Sequence, residues 1–81
     1  MLADQAGANA VTFSDGLREV GHDIRPGKYH TDTGAGCYWA KLRSSNTSDI
    51  VDNENATGPQ TIVIDSGWFE SKRCGTWTKV G

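Results

Sequence analysis

The sequence predicts an all-β domain, a small antiparallel β-sandwich or barrel-like domain, and three observations carry that expectation. Short runs of β-branched and aromatic residues recur along the chain, as in Thr61-Ile62-Val63-Ile64 and Cys37-Tyr38-Trp39-Ala40-Lys41-Leu42. Turn signals separate these runs roughly every eight to twelve residues, the rhythm of sandwiches and barrels. Apolar spacing at three and four residues nowhere persists over the ~10 residues that a helix needs.

Taken in order, residues 1–10 are small and polar with no strand periodicity, and are expected to form an N-terminal arm preceding a single β-domain over residues 11–81. Val11-Thr12-Phe13 alternates, and Asp15-Gly16 then gives the dipeptide that best signals a tight hairpin into Leu17-Arg18-Glu19-Val20. Gly21 ends that piece. Pro26-Gly27 is a turn signal because Pro26 presets φ and Gly27 tolerates positive φ, and Lys28-Tyr29-His30-Thr31 emerges as the next strand. In Cys37–Leu42 the period of two places Cys37, Trp39 and Lys41 on one face and Tyr38, Ala40 and Leu42 on the other, so both faces carry aromatic mass. Residues 44–60 are polar, interrupted by Ile50-Val51, and are read as a short strand between two loops. Thr61–Asp65 is a dense strand, Ser66-Gly67 a turn, and Trp68-Phe69 an aromatic block leading to Cys74.

At 81 residues the chain fits one domain. A domain of that size buries only about 60% of its unfolded surface, so a staple is expected. Cys37 and Cys74 are either buried thiols or a disulfide. The small core, the aromatic residue two or three positions after each cysteine, and the lack of further metal-type cysteines favour the bond. A disulfide would imply an oxidising destination. Met1-Leu2-Ala3-Asp4 nevertheless lacks the basic and apolar regions of a signal peptide. Eight basic and ten acidic residues, scattered without runs, give a net charge of -2 and leave no basic stripe for phosphates, so nucleic acid is not an expected partner. No apolar run approaches the ~20 residues of a membrane span.

The blocks Asp15-Gly16, Val20-Gly21, Asp23-Ile24 with Pro26-Gly27 and Tyr29, Cys37-Tyr38-Trp39-Ala-Lys-Leu, Asn55 with Gly58, and Cys74-Gly75-Thr76-Trp77 resemble a small cysteine-paired β-domain. That domain occurs in secreted or surface-anchored proteins of actinobacteria and in proteins of their phages. The resemblance runs from about Phe13 to Val80. It implies a Cys37–Cys74 disulfide and an extracytoplasmic setting, and it supplies neither an activity nor catalytic residues.

The residues that could carry chemistry are few. His22 lies in a Gly-His-Asp turn and His30 on a strand, without the sequence context of a nucleophile, so surface or strand-face histidines are the preferred reading. The two histidines with Asp23 and Asp32 do not complete a zinc sphere. The run from Asp49 to Gly58 is rich in oxygen ligands but lacks the pattern of an EF-hand loop, and a solvated loop with Asx-turns is preferred. No metal, cofactor or catalytic residue is therefore expected, and the protein is not expected to be an enzyme. Of the aromatics, Trp39 and Trp77 are expected to pack around the cysteines. Trp68 and Phe69 point to opposite faces if they lie in a strand, so they cannot both enter one core, and an exposed one would offer a platform for a sugar or a protein.

The leading expectation is a non-catalytic docking module, most concretely a phage virion-associated protein decorating a capsid or tail. The alternative is a secreted or cell-surface binding domain recognising an envelope or extracellular ligand. Other protein subunits in an oligomer or assembly are the expected partners, and Leu2, Ala6, Ile50, Val51, Trp68 and Phe69 are the candidate interface residues.

Overall fold

The computed structural model describes residues 11–32 and 36–81. Among them are eight strands and no helix: β1 (Thr12–Phe13), β2 (Gly16–Glu19), β3 (Gly27–Thr31), β4 (Cys37–Leu42), β5 (Ile50–Ala56), β6 (Gln60–Ile64), β7 (Trp68–Lys72) and β8 (Trp77–Lys79). They form two four-stranded antiparallel sheets, ordered β1-β8-β3-β6 and β2-β7-β4-β5, in a sandwich-like arrangement. Of the strand pairings, β4–β5 alone joins strands adjacent in sequence. Every other connection carries the chain from one sheet to the other, so the fold depends on non-local pairing.

Two local expectations do not hold. Asp15-Gly16 is not a hairpin turn: β1 pairs with β8 and β2 with β7, so the dipeptide carries the chain between sheets. Gly16, at a φ of 130° that favours glycine, is the first residue of β2 and does not close a turn. The Asp15 carboxylate is used over a longer range, accepting from the backbone N–H of Cys74 at 2.9 Å and from the Ser71 hydroxyl at 3.2 Å. Likewise, Asp52 to Asn55 belong not to a solvated loop but to β5, a seven-residue edge strand. All of β5 except Ala56 is exposed, so the strand carries no alternation of polarity for the sequence to display. The Asx-turn lies earlier, where the Asn46 side chain accepts from Ser48 N at 2.9 Å within the β4–β5 loop.

The core lies between the sheets and is aromatic. Phe13, Tyr29, Trp39, Phe69 and Trp77 are all buried, together with Ile24, Ile64, Ala56 and both cysteines. Phe69 is central, its ring centroid 5.4 Å from Trp77, 5.8 Å from Phe13 and 6.2 Å from Trp39. The pairs with Trp77 and Phe13 are edge-to-face and that with Trp39 is stacked, and such aromatic pairs add about 0.5–1.5 kcal/mol beyond burial. Cys37 and Cys74 form a disulfide inside this core, tying the start of β4 to the segment between β7 and β8 across 37 residues.

The glycine at position 67 has a steric reason. With φ of 76°, a Cβ there would sit 2.3 Å from the carbonyl oxygen of Leu42. The Gly67 carbonyl in turn accepts from Val20 N at 2.9 Å, which fixes the entry to β7 and hence the facing of Trp68 and Phe69.

Candidate functional site

Register determines what the second sheet presents to solvent, because residues directly opposite on paired strands share a face. Phe69 and Trp39 point into the core, so the alternate residues point out. One outward row runs Glu19, Trp68, Leu42, Ile50 across β2, β7, β4 and β5. The next runs Leu17, Glu70, Ala40, Asn53, and a third joins Lys72, Tyr38 and Asn55. Apolar and polar residues are interspersed on this face, with Glu70 between Leu17 and Ala40 in the middle row.

Its centre is packed. Ala40 is 0% and Leu42 2% exposed although neither belongs to the core between the sheets, so neighbours on the outer face cover them. The register places Trp68 and Ile50 on either side of Leu42, and Leu17 and Glu70 lie in the adjoining row. Trp68 and Leu17 are half-buried, and the Glu70 side chain is only 14% exposed, with the Lys72 ammonium 3.9 Å from its carboxylate. Lys72 also stands 6.0 Å over the Tyr38 ring, whose hydroxyl accepts from Asn53 Nδ2 at 3.2 Å. These contacts link Glu70, Lys72, Tyr38 and Asn53 into one polar cluster on that face.

The expected interface residues separate accordingly. Trp68, Ile50 and Val51 fall on or beside the outer face, with Ile50 38% and Val51 57% exposed next to the β-bulge between β4 and β5. Phe69 does not belong with them: at 0% exposure it is sealed in the core. Alternation puts the two aromatics on opposite faces, and the pairing of β7 with β4 decides which goes in. Leu2 and Ala6 lie outside the described residues.

The polar candidates fare differently. His22 is 77% exposed in its turn, beside Asp23 and Glu19, and forms a surface cluster with them. Asp23 accepts the backbone N–H of Glu19, which is the main reason its carboxyl lies below the usual carboxylate value. Asp49 is taken up by the β4–β5 loop, accepting from Arg43 Nη1 at 3.0 Å and from the Ser44 hydroxyl at 3.2 Å. Asp52 sits in β5 opposite Lys41. Among the described residues no group of three or more His, Cys, Asp and Glu stands together as metal ligands do.

His30 has a partner that the sequence does not reveal. On the outer face of the first sheet its Nδ1 lies 2.7 Å from the Thr61 hydroxyl and its Nε2 2.7 Å from Asp32 Oδ1. Thr61 is 31 residues away and arrives only through the β3–β6 pairing, a relationship that no local motif encodes. The chain hydroxyl–imidazole–carboxylate has the order of a nucleophile, base and orienting acid. Its members are open to water, however, with the Asp32 side chain 88% and that of His30 33% exposed, whereas such chemistry relies on a water-excluded site.

Compared with known families, residues 10–78 match the model of one described as the Rv1352-like extracellular domain. The match begins just before β1, includes both cysteines and ends within β8. No curated protein and no solved structure matches the chain.

Proposed function

The chain belongs to the family of Rv1352-like extracellular domains, and from that premise we propose that it is a non-catalytic module that binds a protein partner outside the cell through the outer face around Trp68. An extracellular, disulfide-bonded β-domain is the setting, and it agrees with the burial of Cys37–Cys74 in the core. The virion role expected from sequence finds no support in the family match, and the secreted or cell-surface alternative takes its place.

The observation that carries the reading is the composition of that face: Trp68, Ile50 and Tyr38 stand around the covered Leu42 and Ala40, with Glu19, Glu70, Lys72, Asn53 and Asn55 among and around them. Aromatic and aliphatic side chains interspersed with polar groups of both charge signs are the material of a protein interface. Catalysis is left out of the reading because the chain that has the order of a catalytic one ends in a carboxylate, Asp32, whose side chain is 88% exposed.

The test is retention of the fluorescently labelled, oxidised domain on cells of the source organism. Retention that is lost on Trp68→Ala, in a variant shown to be folded by its spectrum, supports the proposal. Absence of retention, or equal retention of the variant, refutes it.

A further inference from the structure

On the other side of the sandwich the pairing of β3 with β8 stops at His30 opposite Thr78. Where the strands part there is a hollow of about 390 Å³, lined by Thr31, Asp32, Cys74, Gly75, Thr76 and Thr78. Thr31 turns inward, donating its hydroxyl to the Cys74 carbonyl at 2.6 Å, so the groups offered to solvent are the Asp32 carboxylate, the Thr76 and Thr78 hydroxyls and the backbone at Gly75.

Asp32 is not a freely rotating surface carboxylate. His30 holds its Oδ1 at 2.7 Å, and His30 is itself held by the Thr61 hydroxyl at 2.7 Å. With the imidazole neutral, Nε2–H donates to Asp32 and Nδ1 accepts from Thr61, so each group in the chain fixes the next. Ordering an exposed carboxylate costs conformational entropy, and a carboxylate already ordered binds without meeting that cost again. Among the described residues the bond to the Asp32 side chain runs to its Oδ1, and that side chain is 88% exposed. Outward-facing hydroxyls continue from the hollow across the sheet, Thr12 opposite Thr78 and Thr61 opposite His30.

We propose that this hollow is a second ligand site, distinct from the Trp68 face, and that it takes a neutral saccharide. A sugar hydroxyl both donates and accepts, matching the threonine hydroxyls and the Gly75 backbone, and vicinal hydroxyls donate to one carboxylate. Anions are disfavoured by Asp32. A small cation lacks the further acidic ligands that it needs. Asp32 binds ligand directly; His30 and Thr61 are positioning residues.

The experiment is a titration of the oxidised domain, followed through its backbone amide signals, with a panel of neutral glucosides, galactosides, mannosides and xylosides, and with lysine as the charged comparison. The proposal expects at least one saccharide to shift the amides of Asp32, Gly75, Thr76 and Thr78. Asp32→Asn should weaken that binding about tenfold, the loss of one charge-assisted bond, without changing the melting temperature. Thr61→Val should weaken it less, and Thr61→Ser should restore it, a rescue that a purely structural role would not show. Silence of these amides with the whole panel, a response to lysine alone, or unchanged affinity in Asp32→Asn would each overturn it.

Discussion

Asp15 and Cys74 are joined across 59 residues: the Asp15 carboxylate accepts the Cys74 backbone N–H at 2.9 Å and, through the same oxygen, the Ser71 hydroxyl at 3.2 Å. One exposed acidic residue on the crossing between the sheets thus holds β7, the disulfide-bearing segment and the start of β2 in one arrangement. Replacing it by alanine removes an ionised acceptor from a part-buried N–H. Asp15→Ala is therefore expected to lower stability by about 1–2 kcal/mol and Asp15→Asn by less, measured by urea unfolding of the oxidised protein. Equal stability of all three proteins would show that water replaces the carboxylate at no cost.

The disulfide contributes more than this hydrogen-bonded carboxylate. Joining residues 37 positions apart restricts the unfolded chain by about 4 kcal/mol in the loop-entropy model, a large part of the net stability of a domain this small. The Cys37→Ser/Cys74→Ser protein should therefore unfold at a much lower urea concentration, or be unfolded without any. A midpoint near that of the oxidised protein would mean that the aromatic core suffices alone.

Neighbouring aromatics should behave in opposite ways. Phe69 touches three core rings and is fully buried, so Phe69→Ala is expected to cost about 3–5 kcal/mol. Trp68 is half-buried on the outer face, and Trp68→Ala should cost about 1–2 kcal/mol. Comparable losses in denaturant midpoint would contradict the facing assigned to β7.

Acid and alkali should act through different residues. Asp23, held by the Glu19 N–H first and by His22 in addition, has its carboxyl lowered from 3.8, so its contribution is complete above that value and is lost as pH falls through the lower folded value. Tyr29 is raised from 10.0 by burial, so its contribution is complete below 10.0 and is lost as pH rises through the higher folded value. Stability measured against pH should decline at both ends, and Asp23→Asn should flatten the acid decline alone. An acid limb unaffected by that substitution would assign it to other carboxylates.

How much of this is legible in the sequence depends on whether the controlling contact is local. Thr61–Ile64 and Cys37–Leu42 announce themselves because β-branched and aromatic residues fit a pleated, half-buried surface, and they appear as β6 and β4 almost unchanged. The cysteines, each followed closely by an aromatic residue that proves to be in the core, signal the staple. Asp15-Gly16 misleads because a dipeptide reports its own dihedral preference and not whether the strands it joins remain in one sheet. β5 is announced only by Ile50-Val51, and its run on to Ala56 is hidden because an edge strand exposed on both faces has no periodicity. The Trp68 face and the Asp32–His30–Thr61 chain exist only through register, which places Leu42 beside Trp68 and Thr61 beside His30 from distant parts of the chain.

Binding of a partner through the outer face around Trp68 can be separated from binding elsewhere by placing charges on the two outer faces in turn. Ile50→Asp/Val51→Asp alters the Trp68 side, whereas Val63→Asp alters the opposite sheet at a residue that is likewise exposed, at 47%. With the labelled, oxidised proteins bound to cells of the source organism, the first variant should lose retention and the second should keep it. Retention kept by the first variant, or lost only by the second, would contradict a partner seated on the Trp68 face.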